Sequence, residues 1–373
     1  MPAVDSPRTA SSDAIASATQ ARTGIPVQER TADESGPSAP SPALSRATVT
    51  DVARLAGVSG KTVSRVFAGS SSVSPETRTR VLEAAQRLRF RPNSLARDLR
   101  RGGVSTTVAF VMGDLSNAFY SKVAAGIERE LAEHGLTLVI AATDDEAAHE
   151  QRVVGAMLER RVRSLLLVPI APDQGYLEGE RQLGTPVICV DRPARNLVTD
   201  SVVFDNAAGA EAAVRSLVQH GHRRVAFVGS APTLYTHEER LAGYRRALAA
   251  AGIAPRPEYE RHDATDATEA ERATRALLAL PEPPTALLAG NNKASVGILA
   301  VRQGMLQPFA FVGFDDFDLA ATLGVSVVAH DPGEMGRAAV RLALWRQDDL
   351  VSPPRQVVVP TWLVQRGSGE LAP

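Results

Sequence analysis

The hydrophobic pattern divides the chain into three stretches. Residues 1–47 carry neither a two-residue nor a 3.6-residue apolar period, and the first aromatic residue of the chain is Phe67. Ala, Ser, Pro and Thr fill more than half of this stretch. Such a segment buries too little apolar surface to offset its ordering entropy, so it reads as a disordered tail.

Helical spacing starts after residue 47. Val52, Leu55 and Ala56 stand at i, i+3 and i+4, with Thr50 read as the N-cap and Gly57 as the left-handed stop. Val58 fits the corner, and Ser59 caps a second helix, Gly60–Phe67. Its Val63, Val66 and Phe67 repeat the apolar spacing and leave Gly60, Lys61, Thr62, Ser64 and Arg65 for other surroundings. Ser74 and Pro75 open a third helix, whose Val81, Leu82, Ala85 and Leu88 close a small core. Two short helices about a tight glycine turn form a helix-turn-helix, whose second helix reads the DNA major groove.

Past Gly103 the pattern becomes short apolar runs alternating with amphipathic stretches. The runs are Val108–Met112, Leu136–Ala141, Ser164–Val168, Val187–Val190, Ser201–Phe204, Arg224–Val228, Ala286–Ala289, Phe309–Val312 and Ser326–Val328. Helices fill the gaps, among them 121–134, 147–160, 207–220, 239–251, 268–280 and 333–346. Strand–helix alternation predicts parallel sheets covered on both faces, with ligands at the carboxyl ends of the strands. A break near Val203–Asn206 marks a boundary between two lobes. The expected fold is a small all-α helix-turn-helix headpiece at 48–92 plus an α/β body of two doubly wound parallel-sheet lobes at 103–367.

Charge sharpens this division. Residues 48–102 hold eleven Lys/Arg against four Asp/Glu, a net of +7, whereas residues 103–373 carry −7. A basic unit on an acidic body points to a polyanionic partner, most simply nucleic acid. The length of 373 residues suits two or three domains. The longest apolar runs, such as Leu165–Ile170, are too short to span a bilayer. The single Cys189 excludes an internal disulfide and fits a reducing compartment. With no charged region leading into an apolar run near Met1, no secretory signal is expected, which places the chain in the cytoplasm.

Enzyme signatures are missing. No G-x-G-x-x-G follows a strand, and there is no phosphate-binding loop and no H-E-x-x-H. His220 and His222 lack a third ligand nearby, so no metal or other cofactor is expected. Cys189, inside an apolar run, reads as a small buried residue.

Several residue strings together resemble a known family. Val52-Ala53-Arg54-Leu55-Ala56-Gly57-Val58-Ser59, Thr62-Val63-Ser64-Arg65-Val66, Val73-Ser74 and Arg91-Pro92-Asn93 are similar to the headpiece of the lac-repressor and gal-repressor family. The resemblance continues through Asp114-Leu115-Ser116-Asn117, Val190-Asp191-Arg192-Pro193, Arg240-Leu241-Ala242-Gly243-Tyr244 and Val312-Gly313-Phe314-Asp315-Asp316, and spans residues 48–367. It implies a body like that of periplasmic sugar-binding proteins and a transcription regulator, most simply a repressor. The implied partners are double-stranded operator DNA, a small polar effector (a sugar, sugar derivative or nucleoside) and a second copy of the chain.

Residue roles follow from the same resemblance. Lys61 and Arg65 would read base edges, with Gly60 and Ser64 on the same helix. Thr50, Ser59 and Thr62 would position phosphates. Residues 93–102 would form a hinge helix from Asn93, with Leu99 wedged into the minor groove and Ala96 one turn earlier; a segment this short is marginal as an isolated helix. In the cleft, Asp191, Arg240, Asn291 and Asp315 match effector-contacting positions, as do Asn117, Phe119 and Tyr120. Phe204 would close the pocket from the hinge side, and His330 stands where relatives often carry a polar residue. There are departures: Asn291-Asn292-Lys293 replaces the usual Asn-Asp, Ala118 replaces a common proline, and Gly304–Phe311 is shorter than usual. The cation at Lys293 favours a more electron-rich ligand. No leucine heptad follows the last strand, so no tetramerisation helix is expected.

Overall fold

The computed structural model describes residues 47–91 and 105–373. The tail and the segment with Asn93, Ala96 and Leu99 lie outside the described residues. The chain forms two compact units, Met1–Pro92 and Asn93–Pro373.

In the first unit, α1 (Val49–Ala56), α2 (Gly60–Phe67) and α3 (Pro75–Arg87) enclose Val52, Ala53, Ala56, Val63, Val66, Val81, Ala84 and Ala85. Gly57 takes φ +64° and ends α1, while Ser59 and Ser74 cap α2 and α3. The cap of α1 is Thr48, not Thr50. Thr48 and Asp51 form a reciprocal capping box, whereas three residues past Thr50 stands Ala53, which has no side-chain acceptor. Leu55 and Leu82, expected in the core, are about half exposed, at 49% and 47%. Small alanines take the buried positions and let the three helices approach closely. Arg78 donates to the carbonyls of Val66 and Ser70 (3.3 and 2.6 Å) and so satisfies the end of α2.

The second unit has two six-stranded sheets. In the first lobe the order is β11-β5-β4-β3-β1-β2, from β1 (Thr107–Met112), β2 (Thr137–Ala142), β3 (Ser164–Leu167), β4 (Val187–Val190), β5 (Asp200–Phe204) and β11 (Gln356–Val359). In the second it is β12-β10-β9-β8-β6-β7, from β6 (Val225–Val228), β7 (Glu260–Arg261), β8 (Ala286–Ala289), β9 (Ala310–Phe314), β10 (Ser326–His330) and β12 (Thr361–Val364). Every pairing is parallel except β10 with β12.

Helices cover both faces of each sheet, as fully apolar strands require. In the first lobe α4 (Ala118–Glu133) and α11 (Pro332–Asp348) pack on one face and α5 (Ala147–Glu159) on the other; a short α6 (Glu178–Gln182) precedes β4. In the second, α7 (Asn206–Gln219) and α8 (Tyr235–Ala250) face α9 (Ala267–Leu278) and α10 (Asn292–Gln303) across the sheet. The α4–α11 contact depends on glycine. A Cβ on Gly126 would stand 2.1 Å from the Gly333 carbonyl, and one on Gly336 would stand 2.3 Å from that of Val123.

The chain crosses between lobes three times, at Phe204–Asn206, His330–Pro332 and Val359–Thr361. The first crossing coincides with the break in the hydrophobic pattern. The body runs past residue 367: the Ser368 carbonyl accepts from Phe311 N–H (2.8 Å), and His222 Nε2 lies 2.9 Å from the Leu371 carbonyl.

Candidate functional site

The first unit offers one helix face. Val63 and Val66 of α2 are buried, so Lys61, Ser64 and Arg65 project on the opposite, exposed side. At spacings i, i+3 and i+4 these side chains form one stripe. Ser59 Oγ accepts from Thr62 N–H (3.2 Å) and lies 2.9 Å from Thr62 Oγ1. Both hydroxyls thus sit at the amino end of α2, where the helix dipole favours a phosphate. Thr50, inside α1, is exposed.

The second unit holds a cavity of about 370 Å³ between its lobes, at the carboxyl ends of the strands. Of the expected residues, Asn117, Phe119, Tyr120, Asp191, Arg240, Asn291 and Asp315 line it. Phe204 and His330 do not; their rings stack on each other 3.9 Å apart, and His330 lines an adjoining hollow instead. His330 Nε2 is 2.7 Å from Asp315 Oδ1, so His330 supports a cavity residue rather than facing the cavity.

Asp191 and Asp315 both adopt left-handed backbone, with φ of 71° and 68°. Aspartate tolerates this conformation, which turns each carboxylate off its strand end into the cleft. Asp191 pairs with Arg192 (3.1 Å), whose Nη2 also donates to the Tyr120 hydroxyl (3.2 Å). Burial pushes the Tyr120 phenol well above its ordinary range, so it stays protonated. Burial also works against ionised Asp315, yet His330, Arg240 and the Asn292 N–H outweigh it and hold the carboxyl below the usual range.

Arg240 is 5% exposed. Its Nε donates to Asn206 Oδ1 and its Nη1 to the Gly290 carbonyl, both at 2.7 Å, and its guanidinium lies 3.7 Å from the Phe314 ring centroid. Burial lowers its pKa, although Asp315 and Asp191 oppose that shift. Both hydrogen-bond acceptors are neutral, and further N–H groups of the fork remain for a ligand.

Two expected contact residues also have structural duties. Asn291 caps α10 by accepting from Ala294 N–H (2.7 Å). Asn117 caps α4 by accepting from Phe119 N–H (3.1 Å), and the same oxygen accepts from Asn292 Nδ2 across the cleft (2.9 Å). Lys293–Asp114 (3.2 Å) and Lys122–Asp318 (2.9 Å) also join the lobes. Arg192, Asn292, Lys293 and Asp145 line the cavity as well but were not among the expected contacts. Asp145 follows β2 with φ 57°, so an aspartate just past a strand was the available signal.

Both units are similar to known proteins. Residues 48–93 match the family described as bacterial regulatory proteins, lacI family, and residues 214–369 match a periplasmic binding protein-like domain. Catabolite control protein A of Priestia megaterium is similar at 31% identity over 302 residues, covering 79% of this chain and 91% of that protein. The HTH-type transcriptional repressor CytR of Escherichia coli K12 is similar at 30% identity over 305 residues, covering 80% and 89%. Among solved structures, the transcriptional regulator CelR–cellobiose complex aligns with a TM-score of 0.64 at 29% identity, covering 87% of this chain and 100% of that one.

Proposed function

The chain belongs to the lacI family of bacterial regulatory proteins, and from that premise we propose that it is an operator-binding repressor released or recruited by a small polar effector in the cleft. The observation that carries this reading is the convergence of Asp191, Arg240, Asn291 and Asp315 on one cavity, in a chain that also has a helix-turn-helix. Carboxylates that accept and a guanidinium and amide that donate suit a polyol or nucleoside. CelR was solved with cellobiose, which supports a sugar-derived ligand.

On DNA, Lys61 and Arg65 contact base edges, while Ser59 and Thr62 hold phosphates. A single headpiece offers a small interface, so the working form is a homodimer on a pseudo-palindromic site in the cytoplasm. Asn93, Ala96 and Leu99 supply a minor-groove contact that kinks the operator. Effector binding changes lobe closure, and by linkage effector and operator alter one another's affinity by the same factor.

Fluorescence anisotropy on promoter fragments, with a scrambled control, tests this. Arg65→Ala costs about 1–3 kcal/mol on operator and less on random DNA. Leu99→Ala weakens operator binding alone. Arg240→Ala keeps operator affinity and loses the ligand response. Equal loss on both DNAs for Arg65→Ala, or a normal response in Arg240→Ala, overturns the assignment of that residue.

A further inference from the structure

Only three of the 41 Lys and Arg residues are lysine: Lys61, Lys122 and Lys293. Lys61 is exposed on the outward face of α2, one turn before Arg65. Lys122 and Lys293 each tie one lobe to the other, through Asp318 (2.9 Å) and Asp114 (3.2 Å). Among the described residues every other carboxylate pair is made by arginine or histidine, as in Arg245–Glu260, Arg346–Asp200 and Arg366–Asp316. Arginine would hold a carboxylate or read a base edge at least as well, through its planar fork. It cannot offer a nucleophilic amine. A guanidinium stays charged, whereas a lysine amine takes an acyl group and loses its charge. The side-chain amines therefore stand at the helix face that reads DNA and at two interlobe fastenings, and nowhere else in the chain.

We propose that the chain is a substrate of acyl transfer, with Lys61 as the first acceptor and an activated acyl donor, an acyl phosphate or an acyl-CoA thioester, as the other reactant. This goes beyond control by an effector, and it rests on α2 being the operator-reading helix. The Lys61 ammonium first releases a proton to water. The amine nitrogen then attacks the donor's carbonyl carbon and forms an N–C bond. The bond from that carbon to the phosphate oxygen or thiol sulfur breaks, and the leaving group departs with the electron pair. The nitrogen loses a second proton to give a neutral amide, and nothing is oxidised or reduced. The order among the three lysines follows from their partners. Lys122 and Lys293 must each give up a carboxylate before the amine is available, whereas α2 has no acidic residue in its first turn and no described carboxylate pairs with Lys61. Cys189 is buried, so no thiol competes for the acyl group. An acyl group on Lys61 removes a cation from the face that meets a polyanion, so operator is released. Slower transfer to Lys122 and Lys293 then unfastens the lobes, and Lys293 also lines the cavity.

The full-length chain is incubated with acetyl phosphate and, separately, with acetyl-CoA. Mass spectrometry follows acetylation at each lysine, and fluorescence anisotropy on a bound promoter fragment follows DNA affinity. Lys61 is acetylated several-fold faster than Lys122 and Lys293, and affinity falls about tenfold or more as Lys61 is consumed. In Lys61→Arg, whatever its starting affinity, treated and untreated protein agree within about twofold. The double variant Lys122→Arg with Lys293→Arg still loses affinity on treatment. A response to one reagent alone identifies the donor class. No acetyl group on Lys61 from either reagent, a rate no higher than at Lys122 and Lys293, or unchanged affinity at full Lys61 acetylation overturns the proposal. Lys61→Gln, at an exposed position, separates this from a failure of the operator reading. Parental affinity in Lys61→Gln overturns the placing of Lys61 on DNA, and the acyl switch with it. Weakened binding by Lys61→Gln beside a parent that resists acetylation overturns acyl transfer alone.

Discussion

Asp191 and Asp315 occupy equivalent places in the two lobes. Each follows a parallel strand, takes a positive φ and donates its N–H to the neighbouring strand, at Val202 and Val328 respectively. Their counter-groups differ. Asp191 is held by Arg192, a permanent cation that also binds Tyr120 of the same lobe. Asp315 is held by His330, which ends β10 at one interlobe crossing and stacks on Phe204 at another. One half of the cleft floor is thus locked inside its own lobe. The other is wired to the segments that must bend when the lobes move. The same contrast extends to titration, because the second lobe also buries His222 and His237.

The largest expected effect comes from removing the permanent cation. Arg192→Ala leaves Asp191, whose side chain is 7% exposed, without its charge partner, and also strips a donor from Tyr120. Breaking a buried pair from one side costs roughly 3–5 kcal/mol. Urea denaturation measures it, and a loss below about 1 kcal/mol would show that the Asp191 half is not locked.

Next comes acid. Burial, then His262 and Arg240, lower the His237 imidazole from 6.5 to about 4. Between those values the unfolded chain holds a proton that the folded chain does not, so stability falls as pH drops through that window. The loss is on the order of 1–3 kcal/mol, of which His237→Gln removes the larger part. His222 is shifted the same way by burial and supplies the remainder. Asp315 behaves differently. Its depressed pKa adds stability that is present above the ordinary value of 3.8 and disappears only as pH falls through the lower, folded value. Thermal melts from pH 7 to pH 4 in which His237→Gln keeps the full slope would place the sensitivity elsewhere.

A smaller and more specific effect separates the wiring from the fold. His330→Gln keeps a donor for Asp315 but loses the stack on Phe204. Stability changes by about 1 kcal/mol, while effector–operator coupling shifts by about 0.5–2 kcal/mol. Operator affinity with and without a bound ligand gives the coupling. An unchanged ratio makes His330 a support for Asp315 alone.

The amount legible in the sequence follows from how local each determinant is. Gly57, Ser59, Ser74 and Pro75 act within a turn, so the ends of α1, α2 and α3 fell close to expectation. Thr50 was misread because Asp51 reaches back to Thr48. Leu55 and Leu82 follow the helical period yet face outward, since alanines satisfy the close packing and periodicity alone does not rank them. The central strands were visible as apolar runs. The flanking β11 and β12 were not, because their partners β5 and β10 lie far away in sequence and Pro360 interrupts them. Asp191 and Asp315 were legible from their place just past a strand. The Asn117–Asn292 contact joins residues 175 positions apart and leaves no mark on either local sequence.

That contact supports the last and smallest prediction. Asn117 Oδ1 must accept from Phe119 N–H to cap α4, so it cannot rotate to offer its amide donors instead. In Asn292→Asp a carboxylate meets that oxygen, acceptor against acceptor, and stands close to Asp315, which already takes the N–H of residue 292. The substitution is compensated locally: an acidic side chain in the first turn of α10 gains about 0.3–1 kcal/mol from the helix dipole. Net stability therefore changes by less than about 0.5 kcal/mol, within the range of ordinary surface substitutions. The lobes, however, lose one of their direct fastenings, leaving Lys293–Asp114, Lys122–Asp318 and the contacts of Arg195 with Glu238 and the Thr233 carbonyl among those that hold the cleft. Small-angle scattering should register a larger radius of gyration for Asn292→Asp at unchanged melting temperature, and Asn292→Gln, which keeps a donor, should lie between it and the parent. A scattering profile identical to the parent's would mean that the remaining interlobe contacts suffice, and that the asymmetry between the lobes ends at Asp315 and His330.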